Sequence, residues 1–152
     1  MMRVMALDVG DARIGVAVSD PLGITAQPLS TIERKDGYLS RLLETITSMQ
    51  VKTIVIGLPL TLEGEKGPQV KKVENFKKKL GKALRAIPPN GYAVDFVMLD
   101  ERMSTKQAQR VIIESGLKNK DRSAALDRIS AAIILESYLT QVAFGQGALR
   151  SL

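Results

Sequence analysis

Three places in this sequence keep a carboxylate where one is expensive to keep. Asp8 closes the apolar run that starts at Val4 and is followed by Val9-Gly10. Asp100 and Glu101 close a second apolar run, Val94 to Leu99, ahead of Arg102. Asp127 stands just before Ile129–Leu135, a stretch with no charge at all. Carboxylates at such positions must be paired, hydrogen-bonded or metal-bound. Each has a plainer reading too. Asp8 can cap the turn that follows it, Asp100-Glu101-Arg102 can be a strand-end ion pair, and Asp127 or Ser123 can be a helix N-cap. Neighbouring strand residues point to opposite faces, so only one of Asp100 and Glu101 can share a site with Asp8. Glu101 is the choice, with Asp100 supporting the backbone or Arg102 and remaining a competitor. Two carboxylates at strand ends and one on an inward helix face can hold Mg²⁺ or Mn²⁺ against substrate phosphates. Such ions activate a water and stabilise the leaving oxygen in phosphodiester cleavage.

The absences point the same way. The chain has no Cys and no His. Disulfides, thiol nucleophiles, Cys or His zinc sites and the Ser-His-Asp triad are therefore excluded. Lys and Arg number 22 against 16 Asp and Glu, a net charge of +6. With aromatics at only 4% and no Trp, this balance suggests a phosphate-rich partner more than base stacking on single strands. No uncharged apolar run approaches membrane-spanning length, and the chain is expected in the cytosol, away from membranes.

Elements that could position these acids follow from periodicity. Strands are expected at Val4–Asp8, Ile14–Ser19 and Ala26–Ile32, joined by Gly10-Asp11-Ala12 and Asp20-Pro21-Leu22-Gly23 as an antiparallel meander. Leu39, Leu42, Leu43, Ile46 and Met49 have helical spacing. A β-branched strand, Thr53–Gly57, precedes a loop over Leu58–Pro68 with Pro59, Gly64, Gly67 and Pro68, of which Leu60–Gly67 could form a flap. Gln69–Ile87 reads as a helix with the stripe Val73, Phe76, Leu80, Leu84 and Ile87, and Val94–Leu99 as a fifth strand. Ser104 to Gln107 fits a capping box opening a helix to about Ser115, and a basic loop leads to a last helix from about Ala124 to Ala143. The expectation is one α/β domain over residues 1–143, a mixed five-stranded sheet with parallel crossovers flanked by helices, and a loose tail over 144–152.

Several of these segments carry a resemblance. Leu7-Asp8-Val9-Gly10, then Arg13-Ile14-Gly15-Val16-Ala17-Val18-Ser19-Asp20, resembles the opening of YqgF/RuvX family proteins. So do Gly57-Leu58-Pro59-Leu60, Gly64 with Gly67-Pro68-Gln69, Asp100-Glu101-Arg102, and Asp127 with Ala131-Ala132-Ile133-Ile134-Leu135. The matches run in order over nearly the whole chain. The resemblance implies an RNase H-like fold similar to RuvC resolvases. It also implies Asp8, Glu101 and Asp127 as active-site acids on a divalent metal. The activity it implies is a nuclease, either maturing the 5′ end of pre-16S ribosomal RNA or resolving Holliday junctions. This chain differs in carrying Ala12 where a basic or polar residue is frequent, and Arg128 where Ser commonly follows the aspartate. Its fourth strand ends in Gly57 and supplies no acid, unlike that of RuvC.

Candidate phosphate contacts are Arg13, Arg102, Lys106, Arg110, Lys118, Lys120, Arg122 and Arg128, which would give affinity and salt dependence but little sequence information. They suit structured RNA or branched DNA as partner; a homodimer is left open. Lys71, Lys78, Lys82 and Arg85 line one face of their helix, for which a simply solvated surface is the plainer account. Two other functions stay in view. A phosphotransferase is suggested by Asp8-x-Gly10 with Gly15, which also resembles the phosphate loop of actin-like kinases, although those need two such domains. A non-catalytic RNA-binding or scaffold protein on the same fold is the other.

Overall fold

A computed structural model describes residues 2–59, 67–100 and 119–150, with the side chains of 119–123 and 144–150 outside the description. The element order is β1 (Arg3–Val9), β2 (Arg13–Ser19), β3 (Ala26–Glu33), α1 (Tyr38–Ser48), β4 (Val51–Leu58) and α2 (Pro68–Ala86). A 3-10 turn (Pro89–Gly91), β5 (Asp95–Asp100) and a long helix α3 (Asn119–Arg150) follow.

The strands form one sheet in the order β3-β2-β1-β4-β5. β1, β2 and β3 are mutually antiparallel, whereas β4 runs parallel to β1 and β5 parallel to β4. The meander and the crossovers are thus those read from the sequence, and β1 sits at the centre where both halves meet. Pro28 lies on the edge strand β3, where a missing N–H costs least, and the β2–β3 register shifts beside it.

Alternation along the strands gives the two faces different fillings. One carries Met5, Leu7, Ile14, Val16, Ile32, Ile54 and Ile56, packed on Leu42 and Ile46 of α1 and Val73, Phe76, Leu80 and Leu84 of α2. Each such fully buried side chain contributes roughly 1.5–3 kcal/mol. The other face carries Ala6, Ala17 and Val55 under Ala131, Ile134 and Leu135 of α3. α3 lies across β1, β2 and β3, and Thr31 Oγ1 donates to the Ala124 carbonyl at 2.6 Å.

Three expectations need correction. The last helix is already running at Asn119, ahead of Ala124, so residues 119–122, expected in a basic loop, are helical, and neither Asp127 nor Ser123 is an N-cap. Its backbone stays helical to Arg150, past the expected helix end near Ala143. Ile87 is not part of the α2 stripe. It follows the last helical residue and is 82% exposed, while Val70 joins the buried side instead. The expected flap over Leu60–Gly67, apart from Gly67, and the capping-box helix lie outside the described residues.

Candidate active site

Asp8 shares the parity of Ala6 on β1, so its carboxylate faces α3 and not the α1/α2 layer. Directly opposite it on β2 is Gly15. A Cβ placed on Gly15 would overlap the Asp127 carbonyl and crowd the Arg128 amide. Only glycine lets the α3 backbone settle this close to the sheet. That contact, together with Ser130, Ala131 and Ile134 buried on the same helical stripe, turns Asp127 toward Asp8.

The two acids interact. Asp8 is raised from 3.8 to about 6, first by burial and then by the negative charge of Asp127. Asp127 is also held from the other side, since Arg13 Nε donates to its Oδ2 at 2.7 Å. Arg13 has the same strand parity as Gly15, so the pairing follows directly from the β2 register. The cation read from the sequence as a phosphate contact therefore orients an acid.

Continuing the parallel register past Leu7 and Ile56 brings Asp8 level with Gly57, which pairs with Leu99 on β5. Gly57 thus stands between Asp8 and β5 in the sheet. Asp100 is the last residue of β5 and exposed, and it shares the parity of Phe96 and Met98, which pack on the α1/α2 side. The next residue, Glu101, lies outside the described residues, as do Arg102, Lys106, Arg110 and Lys118. Lys120 and Arg122 fall in the first turns of α3, with side chains outside the description, and Arg128 is partly buried next to Asp127. Among the described residues no three acids gather closely enough to hold a metal, so the described site is the pair Asp8 and Asp127. Lys71, Lys78, Lys82 and Arg85 are exposed along α2, as a solvated face would be.

A family model described as "RuvX: Holliday junction resolvase" matches residues 2–141. The chain belongs to the RuvX family. A RuvX relative from Syntrophomonas wolfei, named "Putative pre-16S rRNA nuclease", is 44% identical over 147 residues, spanning 95% of this chain and 99% of its own. Among solved structures, Thermus thermophilus RuvC in complex with a Holliday junction substrate aligns with a TM-score of 0.51 at 17% identity, covering 88% of this chain and 92% of RuvC. The fowlpox virus resolvase bound to Holliday junction DNA aligns with a TM-score of 0.53 at 13% identity, covering 93% and 99%. These likenesses establish the RNase H-like fold. Among the described residues no helix is long and apolar enough to cross a membrane.

Sequence reasoning missed one group near this end of the sheet. Arg34 donates from Nη1 to the Gly10 carbonyl at 2.9 Å, two residues beyond Asp8, and its guanidinium lies over the rings of Tyr38 and Phe76. Nothing local in the Thr31-Ile32-Glu33-Arg34 segment signals this. It depends on α2 delivering Phe76 from 42 residues away.

Proposed function

We propose that this protein is a metal-dependent nuclease that cleaves phosphodiester bonds of structured RNA at the carboxyl end of β1, maturing the 5′ end of pre-16S ribosomal RNA in the cytosol. The observation that carries this reading is the pairing of Asp8 with Asp127 across Gly15. Two carboxylates held together and partly desolvated repel one another, and a hard divalent cation is what relieves that repulsion. The donor set is all oxygen, which suits Mg²⁺ or Mn²⁺. Asp8, Asp127 and Glu101 would hold it. Glu101 is preferred over Asp100 because alternation places Asp100 with Phe96 and Met98. The bound ion would activate a water and stabilise the leaving oxygen. Arg13 fixes the orientation of Asp127. Lys120, Arg122 and Arg128 on α3, with Arg102, Lys106, Arg110 and Lys118 nearby in sequence, would hold flanking phosphates.

The RNA substrate is proposed from the name of the S. wolfei relative. A second reading, resolution of branched DNA, is favoured by the description of the family model. Incubating the protein and Mn²⁺ with a pre-16S precursor and with a four-way DNA junction separates the two. Cleavage of the precursor near the mature 5′ end is expected, and cleavage of the junction alone would overturn the RNA assignment. Metal binding is read apart from activity as a rise in melting temperature with Mn²⁺, which Asp8→Asn should abolish. If Asp8→Asn both binds Mn²⁺ and cleaves like the parent, the chemistry lies elsewhere, and if the parent binds RNA but cleaves neither substrate, the chain is a binding protein.

A further inference from the structure

On the α1/α2 side of the sheet, against the turn that follows Asp8, lies an open cavity of about 540 Å³. Asp11, Arg34, Tyr38, Lys72, Asn75, Phe76 and Lys79 line it. Lys72 is paired with Asp11 at 3.3 Å. Arg34 and Lys79 take part in no ion pair among the described residues. Both nevertheless converge on one oxygen, since the Tyr38 hydroxyl accepts from Arg34 Nη2 at 3.4 Å and from Lys79 Nζ at 3.5 Å. That leaves the phenolic hydrogen free to donate. Arg34 is also fixed in place by the Gly10 carbonyl and by two aromatic rings, so little side-chain freedom remains to be lost on binding.

Two like charges gathered on one phenol, with no carboxylate among the described residues paired to either, suit an anion. We propose that Arg34, Lys79 and the Tyr38 hydroxyl form a subsite for a backbone phosphate of the nucleic acid, across the sheet from the acids. Arg34 binds the turn of Gly10, so a strand seated here passes the carboxyl end of β1 on its way to Asp8. The subsite rests on the nuclease reading for its ligand but not for its geometry. It sets the substrate's path as wrapping the end of the sheet, not lying on the α3 side alone.

The test is fluorescence anisotropy of a labelled RNA hairpin, without divalent metal, titrated with KCl. Lys79→Gln should weaken binding on the order of threefold to tenfold and flatten the slope of log affinity against log salt by about one. Tyr38→Phe keeps the ring and every charge, and should weaken binding by a smaller factor with the slope unchanged. Lys52→Gln is the control. Lys52 pairs with Asp95 and lies over Tyr92, so it removes the same charge at another place and should leave the slope as it is. Equal losses in Lys79→Gln and Lys52→Gln would reduce the effect to net charge and overturn the subsite, as would parent-like binding by Lys79→Gln. Cleavage by Asp8→Asn, run in parallel, reports on the catalytic reading alone.

Discussion

The two faces of the sheet are built from the same five strands and serve opposite ends. On the α1/α2 face, Met5, Leu7, Ile14, Val16, Ile54 and Ile56 meet Leu42, Ile46, Phe76 and Leu80. Large side chains meet large side chains there, and the helices stand off from the strands. On the α3 face, β1 and β2 offer Ala6, Ala17 and Gly15, and the helix backbone comes down onto the sheet. The first face gives stability. The second gives up side-chain volume so that one helix turn can set Asp127 beside Asp8.

The comparison breaks most visibly at Asp8. Asp8→Asn removes a charge and leaves the volume, so folding should persist while cleavage falls on the order of 10³-fold, as when a preorganised charged group is lost from an active site. Single-turnover cleavage with unchanged far-UV circular dichroism is the measurement. A loss under tenfold would move the chemistry away from this face.

Leu80→Ala tests the other face. Leu80 is fully buried, and its truncation should cost about 2–5 kcal/mol in urea unfolding. The turnover of the folded fraction should stay near that of the parent. If turnover falls in step with stability, the two faces are not separable.

Gly15→Ala joins the two effects in one methyl group. The added carbon meets backbone at Asp127 and Arg128 and not a movable side-chain end. Overpacking of this kind costs about 1–3 kcal/mol. Because α3 can relieve the clash only by lifting, Mn²⁺ affinity should fall together with stability, which Leu80→Ala should not cause. Calorimetric titration of both variants decides it, and equal Mn²⁺ affinities would show that the close approach is structural only.

The unequal legibility of these features has a physical cause. The sheet was readable because alternation and apolar runs are local, and Asp8 stood out as a charge at the end of such a run. Asp127 was readable through the uncharged stretch after it, yet its helix is already running at Asn119, ahead of the expected start near Ala124, because Ser123 looks like a cap whether or not the helix has already begun. The partnership of Arg13 with Asp127 spans 114 positions, and the demand for glycine at Gly15 arises from the same remote helix. Neither leaves a mark in its own neighbourhood. Arg34 and Tyr38 are four apart, but their role depends on Phe76 and Lys79 of another element.

A last prediction concerns the cost of keeping the acids together. Asp8 is raised from 3.8 to about 6 by burial and by Asp127. A carboxyl raised in the folded state holds its proton more tightly there than in the unfolded chain. It therefore favours folding below about pH 4, and that advantage is lost as pH rises through about 6. Above that range the ionised pair works against folding by about 2 kcal/mol, taking somewhat less than the full shift at 1.36 kcal/mol per unit. Asp8→Asn, without metal, should thus be more stable than the parent by about this amount at pH 7.5 and show little difference at pH 4. Urea unfolding at the two pH values checks the sign. Saturating Mn²⁺ should stabilise the parent and not the variant, narrowing or reversing the gap at pH 7.5. A variant less stable than the metal-free parent at pH 7.5 would mean that Asp8 serves the fold. It would then belong with the α1/α2 face in purpose, despite pointing the other way.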